Sequence, residues 1–400
     1  MAVVAHPPRD RHDIHVAIIC ALPREADAVI ALLDHRWENV EEVYSKVPGD
    51  SNVYTIGVLA AHHVVVAQMA HMGKDSAAGV AISLRATFPG VQLALVVGVC
   101  GGVPSDPHRQ TEIFLGDVII SQSVQPIEFQ STQTEEEAAT GDIPLSALQA
   151  VLRKLETDAH RRRLQEKTQT WLQTLQGLPH GKYHYPGLGS DCLFQPSYLH
   201  RHRDPSICSK CATDSVCADA IEAFCSDLGC DKDSHVHRKR TVTSEGSDPI
   251  IAGFPPAIHL GRIGSRSTVM KSGSHRDELA YRERFIGLEM GGVDVDNIFF
   301  SLVIKGVGDY ADSHKSKPWQ DYAAATAAAC AKAFLQDWAL EAVETIVDVA
   351  GNSLRKDTVM FMVDIHRDDQ LHGRDEVMNA LADKLKIQDR VALVAHGGIG

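Results

Sequence analysis

Short apolar runs separated by polar turns recur along the first third of the chain, and their lengths predict strands alternating with helices. Val16–Cys20 is a continuous apolar run as long as a buried strand, and Pro23 behind it suits the first turn of a helix. Val53–Leu59 and Val64–Gln68 predict two strands about a turn at Ala61–His63. Asp75 predicts the start of a helix that runs through Phe88 and stops at Pro89–Gly90. Leu93–Val97, bounded by glycines, predicts a central strand buried on both faces, and Leu115–Ser121 predicts another strand.

The pattern changes over residues 125–255. An acidic run, Glu135–Glu137, precedes a charged helix-like stretch with Arg161–Arg163, and a long segment rich in Cys, His, Asp and Arg follows. This predicts an insertion with a helix and extensive loops. Regular patterning resumes with strands at Ile258–Ile263, Phe285–Leu288 and Phe299–Ile304, and residues 319–350 predict one long alanine-rich helix. Strand–helix alternation on both sides of the insertion predicts a three-layer α/β/α fold with a central mixed sheet. The expected organisation is a leader over 1–13, one domain over 14–350 carrying the insertion, a linker over 351–370, and the start of a second domain over 371–400.

Composition narrows the partners. The 400 residues carry a formal net charge of −13, with 44% hydrophobic and 23% charged residues. A net negative surface argues against broad binding to nucleic acid or anionic membrane. No apolar run approaches the roughly 18 residues needed to span a bilayer, and the polar N-terminus lacks the core of a secretory signal. Nine cysteines, two of them in strand-like runs, fit free thiols in a reducing cytoplasm.

Three segments carry candidate chemistry. CALPREADAV places Glu25 just after the first strand. VVGVCGGVP places Gly98, Gly101 and Gly102 at the end of a buried strand, where a backbone without Cβ atoms admits close approach. VIKGVGDYADSHK runs a strand into Asp309, Asp312, His314 and Lys315. Ligands of open α/β sheets bind beyond the carboxyl ends of strands, where all three lie. Each has a bland alternative taken singly: a glutamate favoured by the helix dipole, a glycine turn, an aspartate cap. Their order and spacing together are specific.

With these segments the chain resembles the nucleoside phosphorylase superfamily, in particular its nucleosidase branch and the fungal version found ahead of NACHT or NB-ARC modules. VAIICALPREADAV, LGDVIIS, IHLGRIGS, VMKSGSHRDELA, FIGLEM and VIKGVGDYADSHKSKPWQDYAAATAAACAKAFL carry the likeness over roughly residues 14–340. The resemblance implies cleavage of a purine N-glycosidic bond. It puts Asp309 at the position of the acid that protonates the leaving base and Glu25 at that of the base that orients water. The backbone of Val99, Cys100, Gly101 and Gly102 would face the ribose or phosphate, with Phe285 and Met290 packing the base and sugar. Arg24, Ser265, Arg266, Glu289 and Gly291 complete the implied binding set. No cofactor and no metal are implied.

Two departures bear on substrate. The usual Glu-Met-Glu is Glu289–Met290–Gly291, so the carboxylate that grips the ribose hydroxyls is missing unless Glu289 or Asp294 replaces it. The usual Ser-Gly-Asn/Asp is Ser265–Arg266–Ser267, and the added guanidinium suits a phosphorylated substrate. The first loop, Cys20–Arg24, lacks the glycines of a phosphorolytic site, which favours water as nucleophile; Arg24 keeps phosphorolysis open. Relatives in defence proteins are associated with destruction of adenine nucleotides, so ATP is the favoured substrate, ahead of adenosine or methylthioadenosine. The alternatives are a non-catalytic module for nucleoside binding or oligomerisation and a phosphate-dependent phosphorylase. A homo-oligomer, a dimer or larger, is expected.

In the insertion, Cys208–x–x–Cys211 with Cys217, Cys225, Cys230, His202, His235 and His237 invites a zinc assignment, but one CxxC without a second favours plain loop cysteines. Arg161–Arg163 and Arg238–Arg240 are expected to be solvated. The chain's last residues read as a strand entering a glycine-rich turn with Gly397, Gly398 and Gly400, as in an incomplete phosphate loop, behind a His372–Glu376 stretch that resembles the approach to an NB-ARC ATPase. The expectation is a piece of a larger immune-type receptor whose effector is the nucleosidase.

Overall fold

A computed structural model describes residues 6–37, 46–69, 74–105, 111–127, 146–179, 181–204, 206–211, 216–238, 255–266, 268–290, 295, 298–314 and 317–338. The expected linker and second domain, with Gly397, Gly398 and Gly400, lie outside these residues, as do Gly291 and Asp294.

The described strands form one mixed sheet. They are β1 (Val16–Cys20), β2 (His35–Arg36), β3 (Val53–Leu59), β4 (His62–Gln68), β5 (Leu93–Gly102), β6 (Val118–Pro126), β7 (Ile258–Ser265), β8 (Phe285–Glu289) and β9 (Ser301–Asp309). Their order is β2-β3-β4-β1-β5-β8-β7-β6-β9, and β9 also pairs with β5. The strands from β5 to β9 therefore close into a ring, and β1 to β4 extend from it as an open flank. β1, β5 and β9 run parallel, whereas β8 runs against β5 and meets it only where Gly101 faces Leu288 and Gly102 faces Gly287. The carboxyl ends of oppositely directed strands overlap there, and that overlap makes the site.

Helices cover the sheet. Helix α1 (Pro23–Ile30) follows β1, α2 (Lys74–Thr87) follows β4, and α6 (Gly273–Glu283) precedes β8. Between β6 and β7 stand α3 (Ser146–Glu156), α4 (Asp158–Gln176) and the short α5 (Ala218–Glu222). Helix α7 (Lys317–Leu335) packs on β5, β6, β9 and α1, and α4 packs against its far side. Eight alanines in α7, from Ala323 to Ala333, make this close layering possible, and all are almost entirely buried. Among the described residues no helix is long and apolar enough to cross a membrane.

Several boundaries differ from the sequence expectation for identifiable reasons. The β3–β4 turn centres on Ala60 and Ala61, both left-handed with φ 52° and 71°, so β4 begins at His62. No Asn-Gly or Asp-Gly marks this hairpin, and the turn accepts the strain that alanine meets there. The strand expected at Leu115–Ser121 starts at Val118 instead. Gly116 takes φ 85°, and the buried Asp117 carboxylate accepts from the Phe114 and Ala257 N–H groups. Helix α7 ends at Leu335 rather than continuing as one long helix, and Trp338 stacks back on Phe334. Residues 339–350 lie outside the described set.

The described part of the insertion is more ordered than expected, with three helices, one of them short, and a tied loop region. Arg238, expected to be solvated, is buried: its guanidinium donates to the Pro104 and Ile113 carbonyls and lies 3.9 Å from the centre of the Phe114 ring. Arg162 and Arg163 are exposed as expected.

β9 and α7 approach so closely at Gly306 that an added Cβ would sit 2.0 Å from the Ala323 carbonyl oxygen. Gly306→Ala is expected to lower stability by about 1–3 kcal/mol or more through overpacking. A urea-denaturation midpoint equal to that of the parent chain would show that strand and helix are not in such contact.

Candidate active site

A cavity of about 300 Å³ opens at the overlap of strand ends. Its first wall is the loop after β1. Glu25, the third residue of α1, is buried and turns back toward the helix start: Oε2 accepts from the Ala21 and Leu22 N–H groups, each at 2.8 Å. The Leu22 bond is half of a capping box, with the glutamate reaching its own N-cap backbone. Oε1 accepts from the Val99 N–H at 2.7 Å and so ties this loop to β5. A carboxylate oxygen has two lone pairs, so these bonds fill Oε2 and leave Oε1 one more acceptor position. The approach needs Gly98, where a Cβ would lie 2.3 Å from Oε1.

The second wall is the end of β9. Asp309 lines the cavity, and its Oδ1 accepts from the Ala311 N–H at 2.9 Å, with Ala311 left-handed at φ 53°. The loop that follows is fastened residue by residue. The Tyr310 hydroxyl donates to Asp191 and accepts from Arg238, both in the insertion. Burial, with Asp191 alongside, holds that phenol well above its ordinary range, so it remains a donor. The Tyr310 carbonyl accepts from the buried Arg276 at 2.7 Å, and the Ser313 hydroxyl accepts from the His200 N–H at 3.0 Å.

The third wall comes from β8 and its neighbours. Glu289, Met290, Leu288 and Met270 line it together with Arg266 and Val269. Lys305 on β9 reaches in from below, with Nζ 3.6 Å from Glu289 Oε2 and both side chains at most 3% exposed. Burial opposes the ammonium charge, but the carboxylates of Glu289 and Glu25 outweigh it and raise Lys305 above its ordinary value of 10.5. A raised folded-state value means its contribution to stability is complete below 10.5 and is lost only as pH rises through the higher folded value. The pair therefore persists at neutral pH. Burial raises the Cys100 thiol, which rules it out as a ready thiolate at neutral pH.

Of the residues expected from the sequence, Arg24, Glu25, Val99, Cys100, Gly101, Arg266, Glu289, Met290 and Asp309 all line this cavity. Three do not. Gly102 packs against Val307, Ser265 is wholly buried at the end of β7, and Phe285 sits behind Met270, Leu288 and Ala311 in a small apolar cluster. Phe285 supports the wall rather than forming it. Lys305, Met270, Thr268 and Gln320 also line the cavity, beyond the expected set. A lysine inside the apolar run of β9 was the available signal for Lys305. A larger cleft, about 490 Å³, runs beside β7 and α4 past Gln122, Glu156, Arg161 and His259, and holds none of the expected residues.

Five of the insertion's six cysteines gather in two groups with histidines. His202, Cys208, Cys211 and Cys217 converge, as do His200, Cys230 and His314 with Cys225 beside them. His235 packs edge-on against Phe194 and His237 is exposed, so neither joins these groups.

Comparison with known proteins adds the following. Residues 15–177 match the family model described as Phosphorylase superfamily. The whole chain is 29% identical, over 414 aligned positions, to a nucleotide-binding leucine-rich repeat (NLR)-like protein of Hyaloscypha variabilis, and it spans 36% of that protein's length. Among solved structures, the 5'-methylthioadenosine/S-adenosylhomocysteine nucleosidase of Neisseria meningitidis with methylthio-immucillin-A covers 83% of this chain and all of its own, at 15% identity and TM-score 0.41. The futalosine hydrolase of Helicobacter pylori covers 82% of this chain and 99% of its own, at 16% identity and TM-score 0.42.

Removing one member of the buried Lys305–Glu289 pair leaves the other charge uncompensated. Lys305→Met is expected to cost about 3–5 kcal/mol, and adding Glu289→Gln to recover much of that loss. Denaturant titrations of the two single variants, the double variant and the parent check it; additive losses would mean the two groups do not interact.

Proposed function

We propose that this chain is a nucleosidase that hydrolyses the N-glycosidic bond of an adenine nucleotide, ATP above all, to free adenine and the ribose phosphate. The observation that carries the proposal is the placing of two carboxylates from separate segments, Glu25 and Asp309, on one cavity with an apolar wall. The match of residues 15–177 to the Phosphorylase superfamily supports it.

Each group has a role. Glu25 accepts three backbone N–H bonds and uses the remaining acceptor position on Oε1 to orient water toward the anomeric carbon and to take the proton that water gives up as it adds there. As the glycosidic bond stretches, positive charge builds on the sugar and negative charge on the departing purine. Asp309 donates a proton to the purine ring nitrogen, so adenine leaves neutral. Met270, Met290 and Leu288 pack the base and sugar. Glu289, carried on the same strand end, accepts from the ribose hydroxyls in place of the glutamate that Gly291 replaces, with Lys305 holding it.

The phosphorylated substrate rests on cation placement. Arg24 and Arg266 both line the cavity, and guanidinium groups bind phosphate through paired charge-assisted hydrogen bonds. Arg24 pairs with Asp321 at 3.2 Å and Arg266 reaches Met270 Sδ at 3.6 Å; Arg266, the guanidinium added beside Ser265, is assigned as the principal phosphate contact. The cavity volume is at the lower end for small-molecule sites, roughly 300–1,000 Å³, so base and sugar fill it and the phosphates extend to its mouth. Likeness to an NLR-like protein supports a role as the effector segment of such a receptor.

Incubation with ATP, ADP, AMP and adenosine, without added phosphate, is expected to release adenine, read by chromatography. Asp309→Asn and Glu25→Gln are each expected to reduce the rate about 10²–10⁴-fold. Release only after phosphate is added would make the protein a phosphorylase, and no release under either condition would favour a binding module. Arg266→Met is expected to raise KM for ATP at least tenfold more than KM for adenosine, and an equal effect on both would remove the phosphate assignment.

A further inference from the structure

The insertion contains a second kind of chemistry, away from the proposed catalytic cavity. Among its described residues the loop region has only a small buried cluster of its own, Cys211, Cys217, Ala220 and Leu228, with Cys208, Val216, Ala223 and Cys230 packed against it. So small an apolar set does not order a segment by burial, and natural folds of this kind rely on disulfides or metal ions. All nine described cysteines are free thiols, so a disulfide does not supply the order here.

The side-chain geometry points to a metal instead. In the first group one ligand atom from each of His202, Cys208, Cys211 and Cys217 lies within 4.8 Å of all the others. Cys211 Sγ is 3.5 Å and Cys217 Sγ 3.6 Å from His202 Nδ1. A tetrahedral zinc ion with Zn–S of about 2.3 Å and Zn–N of about 2.0–2.1 Å separates sulphur from nitrogen by about 3.6 Å, so these are the edges of a zinc tetrahedron. In the second group, Cys230 Sγ is 3.3 Å and Cys225 Sγ 3.7 Å from His200 Nδ1, and His314 completes the set.

The surroundings favour ligation. His200 presents Nδ1 to the thiols because its Nε2 is engaged with the Ala223 carbonyl at 3.1 Å; donation from Nε2 fixes the tautomer that leaves Nδ1 as an acceptor. The Ala220 N–H donates to Cys217 Sγ at 3.3 Å and so helps to fix that sulphur in place. His314 is 8% exposed, stacks on Phe194 at 4.0 Å, and has no partner at hydrogen-bond distance for either ring nitrogen, with Asp312 Oδ1 3.7 Å from Nδ1. A buried imidazole with both nitrogens unsatisfied is costly, and a metal ion would relieve one of them.

We propose that the insertion binds two zinc ions, one held by His202, Cys208, Cys211 and Cys217 and the other by His200, Cys225, Cys230 and His314. Thiolate and imidazole ligands select zinc over hard cations, and four protein ligands leave no open position, so both ions are structural. The two sites share one stretch of chain, with His200 and His202 serving different ions on either side of Arg201. The second ion also joins the insertion to the loop after β9, because His314 lies five residues beyond Asp309.

The test is metal analysis of the full chain, purified under reducing conditions without a histidine tag. Plasma mass spectrometry is expected to find two zinc ions per chain. Cys211→Ser and His314→Ala are each expected to reduce that to one, at different sites. X-ray absorption at the zinc edge should show, over the two ions, a first shell of five sulphurs and three nitrogens. One ion in the parent chain would overturn one site, and no zinc, or iron in its place, would overturn the proposal. The parent measurement needs no variant to fold and no substrate to turn over, so its outcome is independent of the nucleosidase assignment.

Discussion

Glu25 accepts from Ala21, Leu22 and Val99, and through those three bonds it joins the loops after β1 and β5, two strands that already lie side by side in parallel. A carboxylate can hold this position only if the facing strand carries no Cβ, and Gly98 meets that condition. The rest of the cavity is arranged from this joint. β9 pairs with β5 on its far side and brings Asp309 beside Gly101, while β8, running in the opposite sense, delivers Glu289 and Met290 to the same end. A sheet that stayed open would keep β8 and β9 apart; ring closure places them around one opening.

The parts of this arrangement visible in the sequence are those governed by local pattern. β1 and β5 are unbroken apolar runs because they are buried on both faces, and such runs identify a strand without knowledge of its neighbours. Glu25 and Asp309 stand out because each follows such a run. Other features depend on partners distant in the chain. Arg238 looks like one of a run of solvated cations, yet Pro104, Ile113 and Tyr310 bury it. The end of α7 at Leu335 has no glycine or proline to announce it, and packing of Trp338 decides it. Spacing alone could not group the cysteines either, because His200 and His314 belong to segments more than a hundred residues apart, and only the fold shows that they converge. Phe285 is the reverse case: apolar and correctly placed in the chain, it falls one layer behind the cavity wall.

The loop from Asp309 to His314 illustrates how position is enforced without regular structure. Its backbone is bent through a left-handed alanine, which costs energy that the surroundings must offset. Buried contacts do so from several directions: Arg276 and Arg238 meet Tyr310, Asp191 takes its hydroxyl proton bond, and Ser313 receives the His200 N–H. Most of those contacts arise in residues 191–238, within the insertion. The side chain with the most demanding proposed task is thus held by a segment that contributes nothing to the cavity lining itself.

That division has a consequence for how such a protein can change over evolutionary time. An insertion into a loop usually remains dispensable, free to shrink, drift or vanish while the host domain keeps working. Here Tyr310, Ser313 and the loop that carries Asp309 have come to rely on Asp191, His200 and Arg238. A change in the segment's length or composition therefore acts on the loop that carries Asp309 as well as on the segment itself.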